Sequence, residues 1–296
     1  MTWSGVIPAI TTAFKPDQSV DHEFVAKHAN WMVDHGCTGI VAPGSLGEGA
    51  TLRHTEKVEL LNTLVGAVGN RVPVVAAISA LSTAEAVELA KDAEQAGCRG
   101  LMVLPPYVYK GTWEEMRFHF SSIFHATGLD CMLYNNPIAY GTDVLPEQVR
   151  ELADRYSMMV SVKESSADIR RVTAIRALCG DRLALFVGVD DLIVEGIDAG
   201  AVGWIAGLVN ACPKESVELF NLALAGEKVE ARNLYEWFLP LLRLDITFDF
   251  VQLIKLVQSE VGMGNPRVRP PRMVLSGARL AEVQSLVRAC LANRPN

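Results

Sequence analysis

Over the first two thirds of the chain, short apolar runs alternate with amphipathic stretches. Eight of the runs are nearly continuous in hydrophobicity, at residues 6–14, 39–45, 72–79, 100–105, 131–135, 159–163, 183–189 and 202–206. Continuous runs are typical of parallel strands that helices cover on both faces, whereas half-exposed strands alternate apolar and polar positions. The pattern therefore predicts eight buried parallel strands.

The stretches between the runs carry the residues with which helices begin and end. Capping boxes stand at residues 82–85 and 112–115, Gly97 follows the first of these helices, Pro146 suits a first helical position and Asp168 suits an N-cap. About eight β-then-α units in succession predict an α/β protein with a (β/α)8 TIM barrel. The competing fold is a doubly wound open sheet. The spacing favours it less, because no GxGxxG or GxxxxGKS/T fingerprint follows the first strand.

The pattern changes after residue 206. Helical sequence alone fills residues 213–294, in stretches at 215–225, 227–244, 248–261 and 278–293, with prolines at 266, 270 and 271. These helices exceed what the last unit of a barrel needs. We therefore predict a catalytic (β/α)8 barrel over residues 1–212 and a C-terminal helical extension over residues 213–296, which suits a subunit interface.

Composition narrows the classes of function. The 296 residues are 50% hydrophobic and 21% charged, which allows a large core and excludes disorder. A formal net charge of -7, with no run of lysines or arginines, argues against nucleic-acid binding. We also expect no signal peptide and no membrane span, because the first residues lack a basic segment and no apolar stretch is long enough.

Six cysteines and six histidines are scattered along the chain. No cysteine belongs to a CxxC pair and most lie in apolar surroundings, so we expect reduced core residues of a cytoplasmic protein. No HExxH or mixed His/Cys spacing indicates a metal site. Arg267, Arg269 and Arg272 are interrupted by prolines, and we interpret them as a structured loop that holds carboxylates or makes a subunit contact.

Lys163 is the most informative residue of the sequence. It ends the sixth apolar run, in the segment Val-Lys-Glu-Ser at residues 162–165. Barrel enzymes place their chemistry at the carboxyl ends of the strands, and a lysine held out of water there can attack a carbonyl and form a Schiff base. The competing interpretation is a solvated surface charge, as most lysines are.

Other polar residues end the neighbouring runs. The glycine-rich loop 44–49 offers backbone N–H groups to a carboxylate or a phosphate, and Glu48 within it fits a structural acceptor better than a catalytic group. Tyr134 is either a proton shuttle beside the lysine or a packed aromatic residue. Asp190 and Asp191 suit helix N-capping better than metal binding, since no other ligands accompany them.

Three motifs in order and spacing give the chain a family resemblance: Gly-Ser-x-Gly-Glu at residues 44–48, Tyr-Asn-x-Pro at 134–137 and Val-Lys-Glu-Ser at 162–165. Over essentially its whole length the chain resembles the dihydrodipicolinate synthase / N-acetylneuraminate lyase family of class I aldolases. The resemblance implies a barrel with a C-terminal helical extension, a homotetramer built as a dimer of dimers, and no metal or organic cofactor.

The same resemblance implies roles for single residues. Lys163 is expected to form the Schiff base and Tyr134 to transfer protons beside it. The substrate-binding residues are expected to be Ser45 and the Leu46 backbone for a 2-oxo acid carboxylate, the Ile205 backbone at the same end, and Gly188 after strand seven.

Departures from the family pattern narrow the activity. Dihydrodipicolinate synthases usually have two adjacent threonines where this chain has Ser45 and Leu46. They also place an arginine, which binds the second substrate's carboxylate, where this chain has Ala139. Their hydroxyl relay uses a tyrosine supplied across a dimer contact, for which Tyr107 and Tyr109 are the candidates. These departures argue against lysine biosynthesis.

A narrower resemblance is to bacterial 1-pyrroline-4-hydroxy-2-carboxylate deaminases of hydroxyproline catabolism, over residues 134–140, 163–171, 188–193, 240–245 and 250–255. It implies dehydration and hydrolysis of that imino acid to 2,5-dioxopentanoate and ammonia. The alternatives are a pyruvate-dependent aldolase or lyase, a 2-keto-3-deoxy sugar acid dehydratase, a dihydrodipicolinate synthase-like enzyme, and a non-catalytic barrel that binds 2-oxo acids.

Overall fold

A computed structural model describes residues 3–295 and confirms the barrel. Its eight strands are β1 Gly5–Pro8, β2 Ile40–Ala42, β3 Val74–Ile78, β4 Gly100–Val103, β5 Asp130–Asn135, β6 Met159–Glu164, β7 Ala184–Val187 and β8 Gly203–Ala206. All paired strands are parallel, in the order β1-β8-β7-β6-β5-β4-β3-β2. Hydrogen bonds from Thr38 N to Val6 O and from Ile10 N to Val41 O join β1 to β2 and close the barrel.

The strands are shorter than the apolar runs that predicted them. The first run extends to Phe14, but β1 ends at Pro8. Ile10 and Phe14 are nevertheless fully buried, so the apolar run continues into a loop packed against the core. Burial on both faces explains the continuous hydrophobicity of the strands, and it also hides from the sequence where a strand gives way to a buried loop.

Twelve α-helices accompany the strands within residues 3–295. They are α1 His22–Asp34, α2 His54–Val68, α3 Thr83–Gln95, α4 Trp113–Phe124, α5 Pro137–Tyr140, α6 Pro146–Arg155, α7 Arg170–Cys179, α8 Ile193–Asp198, α9 Pro213–Ala225, α10 Lys228–Leu242, α11 Phe250–Glu260 and α12 Gly277–Ala292. The predicted caps at Ser82 and Thr112 accept hydrogen bonds from the backbone N–H groups of Glu85 and Glu115, and Pro146 is the first residue of α6. Asp168 accepts from Arg170 N at 3.1 Å, although the residue flanking α7 is Ile169.

The helices after the barrel divide into two groups. Helix α9 packs against β1 and α8, which is the position of the eighth barrel helix. Helix α12 packs against both α10 and α11, and a 3₁₀ turn at Arg243–Ile246 links α10 to the segment before α11. The division at residue 212 stays a prediction, and these contacts place α9 with the barrel.

A buried ion pair ties the extension to the barrel. The Lys255 Nζ atom in α11 lies 2.5 Å from Oε1 of Glu48, and both side chains are almost fully enclosed. The second oxygen of Glu48 accepts from Arg269 N at 2.9 Å. The Arg269 guanidinium also binds both carboxylate oxygens of Glu56, at 2.8 and 2.9 Å. These contacts support the structural interpretation of Glu48 and confirm that the proline-interrupted arginine loop holds carboxylates.

Three further observations concern the cysteines, the helices and possible metal ligands. Within residues 3–295 all six cysteines are free, and Cys37, Cys98, Cys131 and Cys212 are buried. In the same range no helix has both the length and the apolar character that crossing a bilayer requires. Nor do these residues hold three or more His, Cys, Asp or Glu side chains grouped as metal ligands.

Candidate active site

Lys163 and Tyr134 lie side by side because their strands are in register. Lys163 on β6 is the direct partner of Tyr134 on β5. The Lys163 side chain is buried, and its Nζ atom lies 4.0 Å from the centroid of the Tyr134 ring. The phenol oxygen of Tyr134 accepts a hydrogen bond from Nδ2 of Asn136 at 3.0 Å. Parallel pairing thus places an amine and a phenol at one level of the barrel mouth, where both can act on one small substrate.

Gly188 leaves room for the Lys163 side chain. A Cβ atom at position 188 would stand 2.4 Å from Cε of Lys163 and 2.0 Å from Oγ of Ser165. Any larger residue would therefore displace the lysine from its position beside Tyr134. Gly188 therefore contributes to the site by leaving space for the Lys163 side chain.

Three tyrosines form a cluster beside the lysine. The Tyr140 ring lies 5.8 Å from the Tyr134 ring and 5.3 Å from the Tyr107 ring, measured between centroids. The Tyr140 hydroxyl is hydrogen-bonded to Oγ of Ser45. Burial raises the pKa of Tyr140 well above its usual range and also raises that of Tyr107. The phenols of Tyr107 and Tyr140 are therefore neutral at pH 7 and can donate hydrogen bonds.

Tyr140 is a site residue that the sequence interpretation missed. It belongs to the stretch 134–140 that carries the narrower resemblance, but no role was predicted for it. The signal that could have found it is local: Asn136 caps the short helix α5 through a hydrogen bond from Ala139 N, and Tyr140 ends that helix. One helical turn after the Tyr-Asn-x-Pro motif brings its ring back over Tyr134.

The two candidate relay tyrosines have different positions. Tyr107 lines the cavity that contains Lys163. Tyr109 is about half exposed, and its hydroxyl donates to Oε1 of Glu115 at 2.6 Å. Tyr109 does not line the cavity of its own chain. Of the two, only Tyr107 is in place to exchange a proton within this chain.

The cavity around Lys163 has a volume of about 690 Å³. All the predicted substrate-binding residues line it: Ser45, Leu46, Gly188 and Ile205. Ala139 lines it too, without a charged group. One wall comes from the C-terminal extension, which contributes Asp245, Ile246, Thr247, Phe250 and Arg272. A volume of this order fits a small organic acid with room for water.

The interpretation of Asp190 as a helix N-cap is wrong. Its carboxylate turns towards β8, where it accepts hydrogen bonds from Trp204 Nε1 at 3.0 Å, from Gly207 N at 3.1 Å and from Leu208 N at 2.7 Å. Complete burial raises its pKa to about 6, and the three N–H donors limit that rise. Asp190 therefore anchors the turn after β8 beside the lysine.

Asp245 is the second site residue that the sequence did not identify. It lies in the 3₁₀ turn Arg243–Ile246 and lines the cavity. A Cβ atom at Gly207 would stand 2.0 Å from its Oδ1 atom, so a glycine there admits the carboxyl group. Burial and then the neighbouring Asp190 raise the pKa of Asp245 well above its usual range, and Lys163 acts in the opposite direction.

Arg272 is the second cationic side chain of the cavity. Its Nη1 atom lies 3.8 Å from Oε2 of Glu48, in the loop that also carries Ser45. Its guanidinium therefore stands on the side of the cavity where the sequence predicted carboxylate binding. Neither Asp245 nor Arg272 follows a strand. The site was predicted from the polar residues that end the strands, so it did not include these two.

Comparison with known proteins gives concordant matches. A family model described as "Dihydrodipicolinate synthetase family" matches residues 2–290. A 4-hydroxy-tetrahydrodipicolinate synthase from Desulforamulus reducens is 31% identical over 283 residues, which are 95% of this chain and 95% of that protein. The crystal structure of dihydrodipicolinate synthase from Aquifex aeolicus superposes with a TM-score of 0.94 at 26% identity, over 99% of this chain and 100% of that one.

A further solved structure is a prophage protein of the dihydrodipicolinic acid synthase family from E. coli K12, in complex with pyruvate. It superposes with a TM-score of 0.93 at 26% identity, over 98% of this chain and 99% of that one. The family match, the relative and both structures cover nearly the whole chain, including the C-terminal helices.

Proposed function

This chain belongs to the dihydrodipicolinate synthetase family, and we propose that Lys163 is the residue through which it forms Schiff bases with small 2-oxo or imino acids. It is an enzyme of that family, whose members are lyases of the class I aldolase type. The observation that carries the proposal is the buried Lys163 amine held 4.0 Å from the Tyr134 ring in a cavity of about 690 Å³.

The residues around the lysine support a division of labour. Ser45 and the Leu46 backbone N–H group hold the substrate carboxylate, and Arg272 adds positive charge on the same side. The Ile205 backbone contacts the same end of the substrate. Tyr134 exchanges protons with the carbon and nitrogen atoms next to the iminium. The iminium itself serves as the electron sink, so the chemistry depends on the position of one amine and on groups that move protons around it.

Within this class, we propose that the enzyme deaminates 1-pyrroline-4-hydroxy-2-carboxylate, in hydroxyproline catabolism. The supporting feature is the charge of the cavity away from the Ser45 loop. Ala139 offers no cation for a second carboxylate, and Asp191 and Asp245 present carboxyl groups to the cavity. A substrate with a single carboxylate, placed at Ser45, avoids that acidic wall.

The proposed reaction proceeds in four steps. The Lys163 amine adds to C2 of the cyclic imine, and the ring C2–N bond breaks to leave a protonated Schiff base. A base at Tyr134 removes a proton from C3, which the iminium has made acidic. The 4-hydroxyl then leaves as water and gives an unsaturated iminium. In the fourth step C5 and its amine lose protons while C3 and C4 gain them, which converts the C3=C4 double bond into a C5=N imine. Hydrolysis of that imine and of the iminium at Lys163 releases 2,5-dioxopentanoate and ammonia, so the net reaction consumes one water.

A second candidate follows from the relatives, which are named 4-hydroxy-tetrahydrodipicolinate synthase. Arg272 favours it, because a guanidinium that lines the cavity can bind the carboxylate of a second substrate. Aldol cleavage with pyruvate and dehydration of a 2-keto-3-deoxy sugar acid use the same lysine and remain alternatives. So does a non-catalytic barrel that binds 2-oxo acids.

We also propose that the enzyme is a homotetramer, a dimer of dimers, in the cytoplasm. Exposed apolar residues support the first part: Leu81, Val108 and Phe118 are each more than 60% exposed on one side of the barrel. An apolar patch of this kind suits a contact between copies of the chain. The free cysteines suit a reducing compartment. Neither nucleic acid nor a membrane is expected as a partner.

Two measurements test the proposed function. Borohydride reduction in the presence of pyruvate is expected to add a stable mass to the peptide that contains Lys163. Incubation with 1-pyrroline-4-hydroxy-2-carboxylate is expected to release ammonia and 2,5-dioxopentanoate. Absence of an adduct at Lys163 rules out the Schiff-base role, and condensation of pyruvate with aspartate semialdehyde without ammonia release from the pyrroline supports the second candidate instead.

A further inference from the structure

The geometry points to Asp245 as a further catalytic residue: we propose that its carboxylic acid donates the proton with which the 4-hydroxyl of the substrate leaves as water. This inference rests on the proposed function, since it assigns the acid for one of its steps.

Asp245 and Tyr134 approach the lysine from different sides. Tyr134 comes from β5, one strand before β6, and pairs directly with Lys163. Asp245 comes from the extension and packs on Gly207, at the end of β8, two strands after β6. A substrate bound to Lys163 is therefore held between a phenol and a carboxyl group. Elimination of water needs this arrangement, because one group must take a proton while another gives one.

The carboxyl group of Asp245 differs from that of its neighbour Asp190 in its partners. Asp190 accepts hydrogen bonds from Trp204, Gly207 and Leu208. Within the described chain, no hydrogen bond reaches the Asp245 carboxyl and no cation lies within 4.0 Å of it. Polar groups removed from bulk water normally have hydrogen-bond partners. A carboxyl group that lines a cavity without protein partners is therefore available to bind a ligand.

The charges that face Asp245 favour its protonated form. Asp190 and Asp191 lie on the turn packed against it, and both carboxylates oppose ionisation of a third. Lys163 acts in the opposite direction, but its nitrogen is neutral once loss of the C3 proton has turned the iminium into an enamine. Asp191 itself faces Arg243, with Nε 3.5 Å from Oδ2. Asp245 is thus the carboxyl group of the trio best placed to hold a proton and give it up.

After C3 has lost its proton, the nitrogen lone pair re-forms the C2=N iminium and the C2=C3 electron pair shifts to C3=C4. The C4–O bond breaks, its electron pair stays on oxygen, and the oxygen takes the proton of Asp245 to leave as water. Asp245 remains as a carboxylate. It regains a proton from the water that adds to the imine during hydrolysis.

The test separates elimination from the earlier steps by using two reactions of one enzyme. Exchange of the methyl hydrogens of pyruvate with D₂O needs the Schiff base and a base at C3 but has no leaving group. Ammonia release from the pyrroline needs the leaving group as well. In Asp245→Asn we expect ammonia release to fall about 10²- to 10³-fold through kcat, with KM and the exchange of pyruvate hydrogens near the wild-type values.

Two further variants keep the test decisive. Gly207 has φ −94° and ψ −54°, which alanine adopts without strain. Gly207→Ala therefore acts only through its new Cβ atom, which pushes the Asp245 carboxyl group away. It is expected to reproduce the selective loss of ammonia release, and it replaces Asp245→Asn if that variant does not fold. Asp198→Asn removes an exposed carboxylate of α8 that does not line the cavity, and we expect it to retain the ammonia release.

Each result has a defined meaning. Full ammonia release in both Asp245→Asn and Gly207→Ala overturns the inference, and so does an equal loss in Asp198→Asn, which would make net charge the cause. Loss of pyruvate exchange in folded Asp245→Asn also overturns it, by making Asp245 the base at C3. Failure of the wild-type protein to release any ammonia overturns the proposed function instead, and Asp245 then has no hydroxyl to protonate.

Discussion

The cavity has two walls of different origin. The barrel wall consists of Ser45, Tyr134 and Lys163, which stand at the ends of strands. The extension wall consists of Asp245 and Arg272, which come from the segment beyond the eighth strand. The barrel wall carries the amine and the phenol, whereas the extension wall carries the carboxyl group and the guanidinium that face them.

The two walls are positioned by different forces. Backbone hydrogen bonds between parallel strands hold the barrel wall, so Lys163 and Tyr134 keep their register wherever the sheet forms. The extension wall depends on a few side-chain contacts with the barrel, chiefly the pair of Lys255 with Glu48. We therefore expect changes in the barrel wall to affect chemistry and changes at this junction to affect stability.

The largest effect is expected for Lys163→Ala. Loss of the amine removes covalent catalysis, so turnover of the pyrroline should fall by at least about 10³-fold while the circular dichroism spectrum is unchanged. Lys91→Ala is the matched control, because Lys91 is exposed on α3. Turnover that survives in Lys163→Ala would show that the barrel wall works without its lysine.

The next effect is expected for Tyr134→Phe. This change keeps the ring beside the Lys163 amine but removes the hydroxyl, so kcat should fall about 10²- to 10³-fold while the borohydride adduct still forms. Tyr156→Phe is the control, since Tyr156 packs against Phe124 and His125 away from the cavity. An unchanged kcat would assign proton transfer to Tyr107 or Tyr140 instead.

At the junction, Glu48→Gln should lower the free energy of unfolding by about 3 kcal/mol, because Lys255 then keeps a buried charge without its partner. Chemical denaturation measures this loss, and adding Lys255→Met should recover part of it. Glu56→Gln breaks the more exposed pair with Arg269 and should cost only about 1 kcal/mol or less. Equal losses in the two single variants would contradict a special role for the buried pair.

The smallest effect concerns pH and His28, which also lies at the junction. Its Nε2 atom donates to Asn210 O at 2.8 Å and lies 3.4 Å from Nε2 of Gln258 in α11. Burial lowers the pKa of His28 to about 4. An unfolded histidine binds a proton below a pKa of about 6.5, so the stability that neutral His28 contributes is lost as pH falls from there towards 4.

Between pH 7 and pH 5 this loss should be about 2 kcal/mol in the free energy of unfolding. His28→Asn removes the titrating group, so its stability should fall less over the same interval. Carboxyl groups common to both proteins, including Asp190 with its raised pKa, cancel in the difference between them. Parallel pH profiles for the two proteins would show that His28 does not link protonation to folding.

Much of the barrel wall was predictable from the sequence. Continuous apolar runs predict buried parallel strands, and the carboxyl ends of such strands meet at one face, so Lys163, Tyr134 and Ser45 could be placed together before the structure was known. The resemblance was needed to give them roles, because a lysine at a strand end is chemically ambiguous. Strand lengths were overestimated, since a buried loop such as residues 9–14 is as apolar as a strand.

The sequence by itself determined the alternation of strands and helices, the position of Lys163 and Tyr134 at the ends of successive strands, and the absence of an arginine at position 139. These depend on local hydrophobicity and on neighbouring strands. Only the tertiary structure decided that Asp245 and Arg272 line the cavity, and that Asp190 anchors β8 where an N-cap was expected. Such positions depend on packing between segments far apart in the chain, which no local pattern of residues encodes.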